Sequence, residues 1–294
     1  MESTEKWPNF FIVGAAKAGT SSLYAYLNDI PGIYMSPIKE PKYFMVSDFF
    51  QYNEPPIRDK KKYLNLFAKA KEEKIIGEAS PQYLKDPQTP KLIHQIVPQA
   101  KILISLRDPV ERLYSSYLMQ IRSGRIKTTF SEEIDLVLNK ITAKKFDSIK
   151  VNAGLYSENV KRYLKIFGNK QVKIIIFEEF IKNTKETIND ILKFLDIKYE
   201  LQNFKYQVYN KHGINRGGFL AKKIRHSRKI SRLAKKFLSP STRLVLRDTL
   251  FVKTQTKPKM DQKDRELLIN FYYDDVKNLQ TLLGRKLPWK NFQN

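Results

Sequence analysis

The stretch Phe10–Leu23 constrains the fold more than any other part of the sequence. Its first four residues are apolar and predict a buried parallel strand. Two glycines and three hydroxyl residues follow before apolar residues return at helical spacing. A strand that runs through a glycine-bearing turn into a helix aims backbone N–H groups and a helix N-terminus at an anion. The sequence therefore predicts an anion-binding turn in an α/β protein.

This turn is close to the nucleotide-binding pattern G-x-x-x-x-G-K-[ST] but departs from it at one position. Gly14 and Gly19 have the spacing of that pattern. Thr20 stands where the pattern has its lysine, and the lysine lies inside the turn, at Lys17. This displacement disfavours an ATP- or GTP-dependent kinase, which we keep as an alternative function.

A second candidate phosphate site follows the predicted strand Lys101–Leu106. Pro109 is suited to the first turn of a helix, and Asp108 is suited to its N-cap. Arg107 then lies at the carboxyl edge of the sheet, and Ser115 lies about two turns into the helix. Arginine suits a phosphate because its planar guanidinium donates two parallel hydrogen bonds and stays charged.

Together these two segments resemble sulfotransferases that use 3′-phosphoadenosine 5′-phosphosulfate (PAPS). Gly14-x-x-Lys17-x-Gly19-Thr20-Ser21 resembles their 5′-phosphosulfate loop, and Arg107 to Ser115 resembles their 3′-phosphate site, L-R-[DN]-P-x-x-R-x-x-S. The resemblance implies that Lys17 reaches the sulfuryl group and is catalytic. The implied PAPS-binding residues are Lys17, Ala18, Gly19, Thr20, Ser21, Ser22, Arg107, Ser115 and, from a later loop, Arg216.

A third segment, Pro37–Phe44, resembles K-E-P-x-[YF]-F of bacterial sulfotransferases and E-x-x-F-F of heparan sulfate sulfotransferases. The resemblance implies that Glu40 is the general base, since an acceptor hydroxyl is a poor nucleophile until a carboxylate takes its proton. Lys42 stands where many relatives have histidine, and we expect it to stabilise charge on the sulfuryl oxygens as a third catalytic residue. An exposed loop carboxylate is the alternative interpretation of Glu40.

A fourth segment, Gly77–Leu84, resembles E-K-T-P-x-Y-F of the heparan sulfate enzymes, with Ala79 in place of the lysine. Glu78, Ser80 and Tyr83 are expected to line the cleft. Two further segments, Gly154–Asn159 and Leu283–Trp289, resemble later parts of the family, so the resemblance covers nearly the whole chain.

Alternating strands and helices predict a parallel central sheet flanked by helices on both faces. The resemblance implies the P-loop NTPase-like sulfotransferase fold. One domain, 1–294, is expected, with a basic helical insertion or lid at about 211–247. The predicted strands lie near 9–13, 74–78, 101–106 and 172–177. The predicted helices lie near 20–29, 88–97, 109–123, 156–167, 184–195 and 261–283.

The charge distribution bears on partners. The net charge is +24, and the segment from Lys211 to Arg247 holds twelve Lys or Arg residues and no Asp or Glu. Within it, 219–238 predicts an amphipathic helix. That helix could be solvated, could cover the nucleotide and steer an anionic acceptor, or could lie on an anionic membrane and present the site to a glycolipid. A non-catalytic binder of nucleic acid or membrane is the second alternative function, although nucleic acid is not the expected partner.

No metal is expected, because the chain has no cysteine and only three scattered histidines. The heparan-like segments favour a carbohydrate or glycolipid acceptor. Animal Golgi members of the family begin with a membrane anchor. The sequence shows no such apolar segment, so the expected location is the cytoplasm, with peripheral contact at the inner membrane surface as a further possibility.

Overall fold

The computed structural model describes residues 5–46, 55–139, 151–201, 213–215, 238, 240–254 and 257–293. Within these residues, five parallel strands form a central sheet in the order β2-β3-β1-β4-β5. The strands are β1 (Phe10–Gly14), β2 (Ile33–Met35), β3 (Ile75–Ala79), β4 (Lys101–Leu106) and β5 (Val172–Ile176).

Helices connect and cover these strands. They are α1 (Thr20–Asn28), α2 (Lys60–Leu64), α3 (Thr89–Ile96), α4 (Pro109–Arg122), α5 (Phe130–Asn139), α6 (Ser157–Phe167), α7 (Phe177–Lys182), α8 (Thr184–Phe194), α9 (Pro240–Phe251) and α10 (Gln262–Leu283). Short 3-10 helices span Asn65–Phe67, Val151–Gly154 and Lys290–Phe292. A separate antiparallel pair joins β6 (Gly213–Asn215) to β7 (Val252–Thr254).

The central sheet is buried on both faces. Phe11 and Val13 of β1 belong to one apolar cluster, which also contains residues of α3, α4, α6 and α10. Phe10 and Ile12 belong to the other cluster, which contains residues of α1 and α8. Successive side chains of a strand point to opposite faces, so a strand that is apolar throughout needs helices on both sides. The predicted fold class is confirmed.

The pairing of the three middle strands positions the candidate site. Ile12 of β1 lies opposite Ala79 of β3 and opposite Leu103 of β4. The chain therefore leaves these neighbouring strands at one edge of the sheet. In open parallel sheets, ligands bind beyond this carboxyl edge.

Some elements differ from the prediction. The three-residue strand β2 was not predicted, because its apolar pattern is too short to stand out. Phe177 was assigned to the fourth predicted strand but begins α7. The predicted basic helix at 219–238 lies outside the described residues apart from Leu238, and the single-domain assignment stays a prediction.

Candidate active site

The turn after β1 is fastened to the neighbouring strand β4. The Ala15 N–H donates to the Ser105 carbonyl at 2.6 Å, and the Ser105 hydroxyl donates to the Ala18 carbonyl at 2.6 Å. Ser105 is fully buried, so both bonds are shielded from water. They give the turn a fixed path before any ligand binds.

Gly19 gives the turn its exit into α1. Its φ is +80°, and a Cβ atom at this position would lie 2.9 Å from the Phe177 ring. Gly19 is also the N-cap of α1, and no side chain caps the helix there. The first N–H groups of a helix have no partner within it. The N-terminus of α1, with the hydroxyls of Thr20, Ser21 and Ser22, is therefore suited to an anion.

Arg107 lies directly against this turn. Its Nη1 donates to the Lys17 carbonyl at 3.1 Å, and its guanidinium lies over the Phe177 ring at 4.7 Å. Its Nε is buried and has no hydrogen-bond partner within the described part of the chain. Burial lowers the pKa of Arg107, while Glu178 and Glu111 act to raise it, and the group stays cationic. A buried cation with an unused donor fits a phosphate.

The Lys17 side chain reaches toward the helix that carries Ser115. Lys17 Nζ lies 3.6 Å from Met119 Sδ. Met119 is four residues after Ser115 on α4, so the two side chains share one face of that helix. Ser115 is half-buried. The structure thus brings Lys17, Arg107 and the Ser115 face of α4 to one region.

The segment that carries Glu40 runs along the end of β3. The Ser36 N–H donates to the Gly77 carbonyl at 2.8 Å, and the Glu40 N–H donates to the Ala79 carbonyl at 2.9 Å. Glu40 and Lys42 have φ values of 64° and 56°. A left-handed backbone at a non-glycine residue persists only where the surroundings impose it, and such residues cluster at functional sites.

The Glu40 carboxylate lies among cationic and amide groups. Its distances are 3.0 Å to Lys39 Nζ and 3.8 Å to Lys42 Nζ, and Gln82 Nε2 donates to it at 3.1 Å. Burial acts to raise the pKa of Glu40, but the Lys39 and Lys42 ammonium groups and the Gln82 amide outweigh it and lower the pKa to about 2. Glu40 is therefore ionised at neutral pH, and its side chain is only 31% exposed.

Glu78, Ser80 and Tyr83 do not line an open cleft, which corrects the prediction from the sequence. All three are fully buried, and Glu78 is the penultimate residue of β3. Tyr63 and Tyr83 each donate to Glu78 Oε1 at 2.8 Å, and Ser80 donates to Oε2 at 2.7 Å. Burial raises the pKa of Glu78 to about 7, although the three hydroxyl bonds act to lower it.

C-terminal residues that the sequence did not predict to be near Arg107 hold the start of α4 in place beside it. Asp108 caps α4 as predicted, accepting the Val110 and Glu111 N–H groups at 3.0 and 3.2 Å. Asn291 Nδ2 donates to the other oxygen of Asp108 at 2.8 Å. Glu178 accepts the Asp108 N–H at 3.2 Å and Trp289 Nε1 at 3.1 Å. Trp289, at the end of the segment that resembles the C-terminal family signature, and Asn291 just after it thus fix the start of α4.

The basic segment is described only in part. Arg216 lies outside the described residues, although β6, which directly precedes it, lies against α4. Arg243 of α9 is described, and its Nη2 donates to the Pro37 carbonyl at 2.9 Å. The C-terminal end of the basic segment therefore contacts the start of the Glu40 segment.

Two properties of the described residues bear on metal cofactors and membranes. They contain no group of three or more His, Cys, Asp or Glu side chains that could hold a metal ion. Among the helices described, none is both long and apolar enough to cross a membrane.

Comparison with known proteins gives a consistent result. Residues 8–230 match the family model described as "Sulfotransferase domain". The crystal structure of a sulfotransferase from Alicyclobacillus acidocaldarius is similar over 96% of this chain and 98% of that one, with 32% sequence identity and a TM-score of 0.71.

Two curated relatives are more distant. Carbohydrate sulfotransferase 15 of Homo sapiens is 28% identical over 245 residues, covering 65% of this chain and 44% of that protein. The bifunctional heparan sulfate N-deacetylase/N-sulfotransferase of Drosophila melanogaster is 24% identical over 308 residues, covering 98% of this chain and 27% of that protein. The chain thus spans less than half the length of these two relatives.

Proposed function

Because the chain belongs to the sulfotransferase family, we propose that it transfers the sulfuryl group of PAPS to a hydroxyl or amine of a carbohydrate or glycolipid. The observation that carries this proposal is the contact between Arg107 and the turn after β1. Two groups suited to phosphates lie side by side there, and the buried Nε of the cation has no partner among the residues that the structure describes. PAPS, which supplies the sulfuryl group, carries one phosphate at the 5′ position of its ribose and another at the 3′ position.

The proposed donor site assigns one phosphate to each group. The N–H groups and hydroxyls from Lys17 to Ser22, including those of Ala18, Gly19, Thr20 and Ser21, would hold the 5′-phosphosulfate. Arg107 and Ser115 would hold the 3′-phosphate, with Arg216 as a further candidate. Lys17 would neutralise the charge that grows on the leaving phosphate oxygen. A protein cation can provide this electrostatic stabilisation, which typically dominates group transfer of this kind.

On the acceptor side, Glu40 would take the proton. The acceptor oxygen or nitrogen forms a bond to sulfur, the bond from sulfur to the 5′-phosphate oxygen breaks, and the acceptor proton moves to Glu40. With a pKa of about 2, Glu40 is a weak base in the absence of substrate. We infer that the proton moves late, when bonding to sulfur has made the acceptor group acidic. Lys42, buried beside Glu40, would neutralise charge on the sulfuryl oxygens.

The proposed acceptor class rests on the names of the relatives and on the charge of the chain. Those names specify carbohydrate and heparan sulfate. A net charge of +24 favours encounter with anionic polysaccharides. The test is transfer of ³⁵S from labelled PAPS to de-N-sulfated heparan sulfate, to galactosylceramide vesicles and to 4-nitrophenol. Labelling of either carbohydrate class supports the proposal, whereas labelling of the phenol alone contradicts it.

The cytoplasmic location and peripheral membrane contact through 211–247 are also proposals. Co-sedimentation of the protein with anionic vesicles, compared with neutral vesicles, tests the membrane contact. Pelleting with anionic vesicles that disappears at high salt is the expected result. Equal pelleting with both vesicle types would contradict it.

Replacing Arg107 by alanine should weaken the binding of the desulfated product 3′-phosphoadenosine 5′-phosphate (PAP) by about 10- to 100-fold. The change removes charged hydrogen bonds to a phosphate, each worth about 1.5–3 kcal/mol. Calorimetric titration measures this loss. The control is Arg285→Ala, which removes an arginine that pairs with Glu179 at the surface. Wild-type PAP affinity in Arg107→Ala would refute the assignment.

A further inference from the structure

A buried hydrogen-bond network connects β3 to the segment that carries Glu40. At its centre is Glu78, which is fully buried and accepts the hydroxyls of Tyr63, Ser80 and Tyr83. Two of these hydroxyls have a second bond. The Lys42 N–H donates to Ser80 Oγ at 3.2 Å, and the Phe44 N–H donates to Tyr83 Oη at 3.2 Å.

The ionised carboxylate of Glu78 determines where the hydroxyl protons of Ser80 and Tyr83 point. A hydroxyl has one proton. Because the two N–H groups approach Ser80 and Tyr83 as donors, the hydroxyl protons must point away from the segment, toward an acceptor. The ionised carboxylate of Glu78 provides that acceptor. The same bonds therefore fix the hydroxyls and, through them, the backbone at Lys42 and Phe44.

The backbone at Glu40 and Lys42 needs this stabilisation because its conformation is strained. Glu40 and Lys42 both have positive φ values, a conformation that is unfavourable for residues with a side chain. The network bonds the N–H of Lys42 itself, and the Ala79 carbonyl accepts the N–H of Glu40. Tyr63 differs from the other two donors, because within the described residues its hydroxyl accepts no bond from 40–44.

We propose that Glu78 is a positioning residue that holds the Glu40–Phe44 segment in its active geometry through the hydroxyls of Ser80 and Tyr83. The inference rests on the proposed function, in which Glu40 is the base and Lys42 stabilises the sulfuryl oxygens. Glu78 itself touches neither donor nor acceptor in this scheme.

Protonation of Glu78 would disturb the arrangement. A carboxylic acid brings one more proton to a buried site that already contains three O–H and two N–H donors, and it removes one acceptor position from the carboxyl group, so the hydroxyl protons must rearrange. The ionisable groups that act on or respond to Glu78 are Glu40, Tyr63, Tyr83 and Tyr163, and Lys42 lies beside Glu40.

Since burial raises the pKa of Glu78 to about 7, kcat should fall as the pH is lowered through 7. Glu40, with a pKa of about 2, does not titrate there.

The most direct test compares Tyr83→Phe with Tyr63→Phe. Both variants remove a buried hydroxyl that donates to Glu78 Oε1 at 2.8 Å, and both keep the ring, so both melting temperatures should fall, that of Tyr83→Phe further because the Phe44 N–H also loses its acceptor. Only Tyr83→Phe removes an acceptor for the segment. With ³⁵S-labelled PAPS and de-N-sulfated heparan sulfate, it should lower kcat about tenfold or more, and Tyr63→Phe less than about twofold. Equal losses would overturn the proposal.

Two further measurements separate this proposal from the proposed function. Amide hydrogen exchange across 36–46 needs no substrate, and it should accelerate in Tyr83→Phe and Ser80→Ala but not in Tyr63→Phe. Unchanged exchange in the first two variants would overturn the role of Glu78 whatever the protein catalyses. PAP affinity should stay within about twofold of wild type in all three. A wild-type protein that fails to bind PAP refutes the proposed function and leaves the exchange result to decide the network.

The pH dependence provides a readout that a purely structural role would not change. In Glu78→Gln, the fall in kcat below pH 7 should disappear, and the remaining profile should be flat or reflect titration of the substrates alone. Tyr63→Phe, which retains Glu78, should keep the fall. An identical acid limb in wild type and Glu78→Gln would overturn the proposal.

Discussion

Replacing Glu40 by glutamine is expected to lower kcat by about 10²- to 10⁴-fold, the range typical of general acid–base catalysis. Glutamine keeps the size of the side chain and can still accept a hydrogen bond, but it cannot take the acceptor proton at neutral pH. Lys39 and Lys42 would lose their carboxylate partner and stay near the site as cations, so binding of the anionic donor should not weaken.

The measurement is steady-state transfer of ³⁵S, with PAP affinity determined in parallel by calorimetry. Glu179→Gln is a matched control, because Glu179 also pairs with a cation, Arg285, but does so at the surface. We expect the control to keep wild-type kcat. Wild-type turnover in Glu40→Gln would show that proton removal does not depend on Glu40.

Replacing Lys17 by alanine should lower kcat by about 10²-fold or more, as when one donor that stabilises transition-state charge is removed. The substitution is well suited to a clean test. Arg107 donates to the backbone carbonyl of Lys17 and not to its side chain. The contact between Arg107 and the turn after β1 therefore survives the change. The φ of 74° at this position is equally unfavourable for lysine and alanine, so strain is not altered.

PAP lacks the sulfuryl group, so its affinity should change much less than kcat in Lys17→Ala. Lys161→Ala serves as the control, since Lys161 is an exposed lysine that pairs with Glu158, one turn earlier on α6. A loss of PAP affinity as large as the loss of kcat would mean that Lys17 binds the nucleotide and does not act on the transition state.

The sheet was predictable because most of its strands are runs of apolar residues. The candidate site residues follow these runs in the chain. Lys17 follows β1 and Arg107 follows β4, so adjacency of the two strands is enough to bring the two residues together. The cap at Asp108 was predictable for a similar reason, since capping depends only on residues close in the chain.

Long-range partners were not predictable in this way. Glu78 resembled a cleft residue in the sequence, but its burial depends on Tyr63 from the short helix α2 and on Tyr83 from the loop after β3. The contact between Trp289 and Glu178 joins residues 111 positions apart. No local spacing encodes such contacts, because they form only when separate elements pack on the same sheet.

The most direct test of the central claim is a calorimetric titration of the purified protein with PAP in the absence of metal, beside a titration with Mg·ATP. The predicted result is PAP binding with a Kd on the order of micromolar or tighter, which corresponds to a binding free energy of about −8 kcal/mol or more favourable. ATP should bind much more weakly. Tight binding of Mg·ATP with no response to PAP would contradict the assignment of the turn after β1 and of Arg107, and would favour a kinase.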